Sequence, residues 1–376
     1  MKKIHMAAVC SCLAVCTPSF AQSSVTLYGI IDTGLTYNTN VGGSHVYMMD
    51  DGISYGNRWG LKGHEDLGGG NYAVFVLESG FKVDTGRLNQ GGALFGRQSY
   101  VGIGNNWGTL TLGNQYDFAW DFVSAFSPSL AGTGYGGHLG DVDRQEGDRL
   151  QNSVKFVSNA YHGLVLGGMY SFSNTPGNFR DGSSWGLGAQ YKAGPFATGA
   201  NYTRLNSPAG LAGVDPYAQF GITNMLGQTV ATVNPATGVV TDLHSSTAFA
   251  IDSQAIFGIG ASYSLGKLTV LGDFSNTTFK GFGQSSTMRV YEPGLEYQAT
   301  AAVFLAAGYQ YTTFEGYHWN QASFAAHYLL SSRTDVYAGV DWQRASNGAH
   351  AVIGYNFAPS SGATQTDVRI GLRHSF

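Results

Sequence analysis

The chain has 376 residues, a formal net charge of −4, only 12% charged residues, 54 glycines, 22 tyrosines and 22 phenylalanines. Charge this sparse and this evenly balanced excludes nucleic acid as a partner. Beyond the N-terminus no run of 18 apolar residues occurs, which excludes a transmembrane helix.

Residues 1–21 read as a secretory signal peptide. Lys2 and Lys3 precede an apolar run from Met6 to Val15, and Ser19 and Ala21 supply the small residues needed for cleavage after Ala21. Lipidation at Cys16 is the competing reading, but Val15 is too large for the residue before a lipidated cysteine. Cys10, Cys12 and Cys16 all lie in this segment, so the mature chain carries no disulfide framework, thiolate metal site or cysteine nucleophile. Loss of Lys2 and Lys3 takes the net charge from −4 to −6. An exported chain rich in glycine and aromatics, poor in charge and lacking apolar helices has one common physical solution. It is a closed antiparallel β-barrel in an outer membrane, with lipid on one face and water on the other.

The predicted strands follow in chain order near residues 24–37, 52–63, 71–83, 93–104, 108–115, 149–158, 163–173, 184–193, 196–205, 256–265, 267–278, 286–298, 301–313, 316–329, 334–344 and 365–376. They alternate with a period of two: Leu110 and Leu112 against Thr109, Thr111 and Gln115, or Val368, Ile370 and Leu372 against Asp367, Arg369 and Arg373. The count, 16, falls in the range where a barrel encloses an aqueous channel. Short connections carry Gly, Asn, Pro or Ser, as at 104–107, 159–162, 193–195, 265–267 and 330–333. Long ones are expected at 116–148, 206–255 and 345–364, on the external side. The mature chain, 22–376, reads as a single barrel domain.

The stretch GHEDLGGG (63–70) sets a histidine and two acids beside a glycine run. A phosphate loop would need Lys-Ser/Thr opening a helix, but a strand follows. His64, Glu65 and Asp66 are adjacent and point apart, a poor set for a metal. The reading is a turn in which Glu65 and Asp66 accept hydrogen bonds from backbone donors.

At SSVTLYGIIDTGL (23–35), NRWGLKGHEDLGGGNYAVFVLESGF (57–81), LFGRQSYVGI (94–103), GTLTLGNQYD (108–117), DRLQNSVKF (148–156), RTDVYAGV (333–340) and VRIGLRHSF (368–376) the sequence resembles the general diffusion porins of β-proteobacteria, of Bordetella, Neisseria and Burkholderia type. His64 departs from the small polar residue usual in that family, and 206–255 does not align. The resemblance implies a 16-stranded antiparallel transmembrane β-barrel in the cell outer membrane whose long third external loop folds into the pore. It implies a homotrimer, passive diffusion of small hydrophilic solutes and ions, contact with outer-membrane lipid and lipopolysaccharide, and insertion by the barrel assembly machinery. Phe376, a terminal aromatic on an alternating strand, matches the family's assembly signal.

Alternation puts Arg58, Lys62, Arg97, Arg149, Lys155, Arg369 and Arg373 on the polar, lumen face, with Glu78 inward beside them. The resemblance assigns Arg58, Arg97 and Arg149 to a basic constriction. The third loop, 116–148, opposes them with Asp117, Asp121, Asp141, Asp143 and Glu146. Opposed rows of charge set up a transverse field that sorts ions and dipolar solutes. The local arginine excess predicts a weak anion preference, against the pull of the overall −6.

No cofactor is expected, and no metal ligand set stands out. One rival reading is a substrate-specific channel with Trp319 and Tyr337 on its inner face. A second is a barrel enzyme using histidines such as His162, His318, His327 and His350, though no GxSxG-type nucleophile signature occurs. A third is an adhesin using the long loops.

Overall fold

The computed structural model describes residues 24–208, 220–244, 249–354 and 357–376; the expected signal peptide lies outside them. The chain forms a closed antiparallel barrel of 16 strands. They are β1 (Ser24–Val41), β2 (in two pieces, Ser44–Asp51 and Arg58–Gly68), β3 (Asn71–Gly80), β4 (Gln98–Asn105), β5 (Gly108–Tyr116), β6 (Arg149–Ser158), β7 (Leu164–Ser171) and β8 (Ser184–Ala193). The second half is β9 (Phe196–Asn206), β10 (Ser253–Leu265), β11 (Leu268–Gly281), β12 (Gln284–Gln298), β13 (Val303–Phe314), β14 (Tyr317–Leu329), β15 (Thr334–Ser346) and β16 (Thr364–Ser375). Each strand pairs with its chain neighbour, and β16 returns to β1 from Ile30↔Ser375 to Asn38↔Asp367. Closure leaves no open edge, the condition for backbone polar groups to survive in hydrocarbon. Phe376 completes the seam: it exchanges two 3.0 Å backbone hydrogen bonds with Gly29, and its ring covers that glycine.

The period-two pattern sorts side chains as lipid and water require. Val25, Leu27, Leu35, Val101, Ile103, Ile370 and Leu372 are exposed on the outside, while Asp32, Thr36, Asn38, Asp367 and Arg369 are buried inside. Trp107, Tyr161, Tyr263, Tyr297 and Tyr328 are exposed near the short-turn end, where an interfacial aromatic girdle belongs.

Three boundaries differ from the sequence reading. The strand expected at 52–63 is instead the two pieces of β2, separated by an irregular segment at 52–57. That segment is held off the sheet by Asp32 and Asn57: Tyr55 N–H donates to Asp32 Oδ2 (3.0 Å), and Asp32 N–H to Asn57 Oδ1 (2.6 Å). It carries Ile53 inward onto Tyr135, Ile353 and Phe357. Alternation cannot register such a break, because side chains rather than ladder partners satisfy its backbone. Strand β3 stops at Gly80 and β4 starts at Gln98, so 81–97 is an external loop. In GHEDLGGG the strand runs on to Gly68, and only Gly69 and Gly70, both at positive φ, make the turn. Asp66 Oδ1 accepts from Gly68 N–H at 2.8 Å.

One end of the barrel has only short connections. The other has long ones at 81–97, 117–148, 172–183, 207–252 and 347–363, two more than expected, together with tight turns at 42–43, 282–283 and 315–316. The described part of 207–252 lies over one side of this end. Phe220, Ile222, Met225 and Leu226 bury themselves with Leu139 and Val142 of the third loop and with Phe279, Phe314 and Trp319 of the wall. The loop end of the β10–β15 side is thereby covered, and the two lumen cavities lie chiefly beside β2–β6.

Candidate pore constriction

The loop 117–148 enters the barrel and follows a track of glycines. It opens with a π-helical turn (Ala119–Val123) and a 3₁₀ turn (Ser124–Phe126). Next comes a one-turn helix (Pro128–Gly132), with proline in its first turn and Ser127 Oγ accepting from Leu130 N–H. Phe118 and Phe122 stack at 5.1 Å and lie over Gly167 and Gly188, where an added Cβ would sit 2.3–2.7 Å from their atoms. Farther along, Gly199 faces the Phe122 carbonyl, Gly260 faces Phe126, and Gly294 and Gly308 face Pro128. Bare backbone on the wall is what lets the loop sit so close. Burying Phe118 and Phe122 contributes about 1.5–3 kcal/mol each.

The far side of the loop is tied down by buried polar contacts. Ser129 N–H donates to Glu292 Oε1 (2.9 Å), Thr133 Oγ1 to Asp341 Oδ1 (2.9 Å), and Gln321 Nε2 to the Gly136 carbonyl (3.0 Å). His138 lies 2.5 Å from Asp143 and 2.9 Å from Glu292. Burial works against charge on this ring, but Asp143 and Asp273 outweigh it and raise its proton affinity well above the ordinary histidine value. Burial likewise disfavours the Asp143 carboxylate, yet His138 outweighs it and keeps the group below the usual carboxylate range.

The near side of the loop borders a cavity of about 960 Å³. Arg58, Arg97, Arg144 and Arg149 line it, and so do Asp121, Asp141, Glu146 and Asp148. Arg97 Nε bonds Glu78 Oε1 at 3.0 Å and its Nη2 donates to Tyr116 O–H at 2.6 Å; Arg58 stands 3.9 Å from the other Glu78 oxygen. Arg149 lies over the Tyr116 ring at 5.7 Å and donates to the Gly147 carbonyl. Arg144 is clamped by Asp117 and by Asp148 (3.1 Å), and these anions together outweigh its burial and raise its already high proton affinity. Burial, with Asp148 and Glu146 alongside, raises the proton affinity of Asp141, which weakens its share of the acidic row.

A second cavity of about 520 Å³ lies toward the short-turn end, lined by Lys62, His64, Tyr100, Gln115 and Lys155. Asp121 borders both cavities and is ion-paired to Lys155, whose Nζ also donates to the Tyr116 carbonyl at 2.8 Å. The Asp121 carboxylate touches lumen water, but the enclosing wall raises its proton affinity, with Lys155 opposing.

Of the residues expected here from sequence, Arg58, Arg97, Arg149, Asp121, Asp141 and Glu146 line the first cavity, with Glu78 bonded behind the arginines. Lys62 and Lys155 line the second. Asp117 is fully buried against Arg144, and Asp143 is buried on the opposite side of the loop with His138. Arg369 is buried between Asp32, Asp50 and Tyr337, and Arg373 pairs with Asp335 at 2.7 Å. Trp319 and Tyr337 are 1% and 3% exposed, packed beneath loops and against the wall, so they form no inner sliding path. Arg144 and Asp148 were missed. Both sit in DVDRQEGD, a loop without strand alternation, where the only legible signal was that a lone arginine among acids must pair with some of them.

Residues 7–348 match the family described as Gram-negative porin. The chain is 31% identical over 382 residues to an outer membrane porin protein of Bordetella pertussis, covering 95% of each. It is 27% identical over 388 residues to outer membrane porin protein 32 of Delftia acidovorans, covering 97% of each. In three dimensions it is similar to the anion-selective porin from Comamonas acidovorans, with a TM-score of 0.77 and 22% identity over 94% of this chain and 100% of that one. It also resembles a trimer form of OmpT from Vibrio cholerae, with a TM-score of 0.65 and 15% identity over 94% and 99% of the two chains.

Proposed function

The chain belongs to the Gram-negative porin family and is an outer-membrane β-barrel porin, not an enzyme, and from that premise we propose that it conducts small hydrophilic solutes and ions by passive diffusion, with a weak preference for anions. The observation that carries this reading is Asp121, which borders the outer and the inner cavity alike. A solute moving between them passes the Asp121–Lys155 pair with the arginines on one side and the third loop on the other. Charges facing each other across so narrow a passage hold a transverse field that aligns water and dipolar solutes.

The anion preference follows from which charges are already compensated. Glu78 is bonded to Arg97, Asp117 and Asp148 share Arg144, Asp121 is paired to Lys155, and Glu146 lines the same cavity as the arginines. Burial suppresses the charge on Asp141. Arg149 has no carboxylate among its described ion pairs, and Arg58 has only the 3.9 Å contact. The anion-selective character of the Comamonas porin agrees with this reading.

The same reading takes residues 1–21 as a removed signal, 22–376 as the mature barrel, and three barrels as the working unit, set in lipid and lipopolysaccharide. Phe376, at the seam, then presents the assembly signal to the barrel assembly machinery. The deciding experiment is single-channel recording of the refolded mature protein under a salt gradient, with Arg58, Arg97 and Arg149 then changed together to glutamine. Open steps in threes, and a reversal potential moved toward cations in the variant, are expected. A silent bilayer from well-folded protein refutes diffusion, and an unmoved reversal potential refutes the assignment of the arginines.

A further inference from the structure

On the side of the third loop away from the arginine-lined cavity, three side chains from distant parts of the chain converge. They are His138 of the loop, Asp273 of β11 and Glu292 of β12, which are 2%, 8% and 1% exposed. His138 Nε2 lies 2.9 Å from Glu292 Oε2 and 3.7 Å from Asp273 Oδ2, and one donor atom from each residue lies within 4.8 Å of the others. We propose that His138, Asp273 and Glu292 bind a divalent first-row metal ion of zinc type, which fastens the third loop to the barrel wall.

The geometry suits such an ion. Nitrogen and oxygen donors about 2.0–2.2 Å from zinc, at tetrahedral to octahedral angles, stand about 3.0–3.4 Å apart; the two distances here bracket that range. The surroundings orient each ligand. The Asp143 carboxylate, 2.5 Å from His138 Nδ1, is placed to accept an N–H there, so that a metal taking the place of the Nε2 proton would meet the Nε2 lone pair between the two acids. This carboxylate–histidine arrangement is the usual support of a metal-bound imidazole. Glu292 is fixed by the Ser129 N–H (2.9 Å) and Asp273 by Gln145 Nε2 (2.8 Å).

Two further observations point to a cation. Asp273 Oδ1 and Gln145 Oε1 are buried acceptors without a hydrogen-bond partner, and buried acceptors are ordinarily satisfied. Charge is the other. Asp143, Asp273 and Glu292 bring three carboxyl groups into one buried pocket, and among the described residues none of them pairs with Lys or Arg. A protonated imidazole offsets the charge of one ionised carboxylate, and a metal dication offsets two, which lessens the cost of burying charge. One imidazole with two carboxylates suits zinc and its neighbours, whereas calcium and magnesium favour all-oxygen shells. Because His138 lies on the loop and Asp273 and Glu292 lie on the wall, occupancy would hold the loop, and the cavity edge it forms, in place.

The test uses the full mature protein refolded as a barrel, freed of metal with a chelator, with Zn²⁺ alone as the probe. Titration calorimetry is expected to show one site per chain, and thermal unfolding to move upward on Zn²⁺ addition. Asp143→Asn is expected to weaken binding by about 10–100-fold, and Glu292→Gln to weaken it by at least about tenfold. Heat-dependent gel mobility confirms that each variant is a closed barrel. Should a variant fail to fold, Zn²⁺-soaked wild-type crystals decide alone: an anomalous peak within bonding distance of His138 Nε2 supports the site. Absence of stoichiometric binding, a peak only at surface histidines, or unchanged binding in folded Glu292→Gln overturns it.

Discussion

Gly199→Ala tests whether bare backbone on the wall sets the position of the third loop. A Cβ built on Gly199 would stand 1.8 Å from the Phe122 carbonyl oxygen and 2.8 Å from its carbon. Ordinary contact begins near about 3.4 Å, so the loop must move by roughly 1.6 Å, at an overpacking cost of about 1–3 kcal/mol. The wall cannot retreat, because Gly199 is in register with Gln190 on β8 and with Gly260 on β10. The loop therefore moves into the lumen and carries the neighbouring Asp121 with it. A cavity of about 960 Å³ has an equivalent diameter of about 12 Å, so the displacement narrows it by at least about a tenth, and more at the constriction itself. Single-channel conductance should fall by at least that share, with noisier open levels as the Asp121–Lys155 pair loosens. Gly362→Ala is the control, since a Cβ there meets nothing within 4 Å. Wild-type conductance from a folded Gly199→Ala barrel would refute the glycine-track argument.

Glu78→Gln removes the carboxylate shared by Arg97 (3.0 Å) and Arg58 (3.9 Å), so the reversal potential in a salt gradient should move further toward anions; movement toward cations would contradict the charge assignment. Burial raises the proton affinity of Asp121, with Lys155 opposing. As pH falls from neutral, Asp121 therefore takes up its proton above the ordinary carboxylate range, one negative charge leaves the passage while Lys155 stays charged, and anion preference should rise. Asp121→Asn should abolish that step, and an identical pH profile in the variant would assign the step to another group. Phe118→Ala deletes a fully buried ring from the loop's seat, at a cost of about 3–5 kcal/mol to docking. Amide exchange over 117–127 should accelerate while barrel strands stay protected, and unchanged protection would show that the loop is held elsewhere.

The barrel is legible in the order of the amino acids. Alternation at Leu110 and Leu112 or at Val368, Ile370 and Leu372 dictates which face meets lipid, because side chains in a strand can point only two ways. Polar turns at one end and long stretches at the other marked the two ends of the barrel, and the resemblance, not the pattern, singled out 116–148 as the loop that enters the lumen. Alternation also put Arg58, Arg97 and Arg149 on the water side, and tertiary structure brought these three to one cavity. Which charges meet was decided only in three dimensions. Asp117 ends on Arg144, Asp143 on His138 beside Asp273 and Glu292, and Arg369 on Asp50 rather than in open lumen. Period two fixes a face but not a height. Height depends on the stagger between strands and on the path of a loop that has no period, and a charge pair a few ångströms across is set by both.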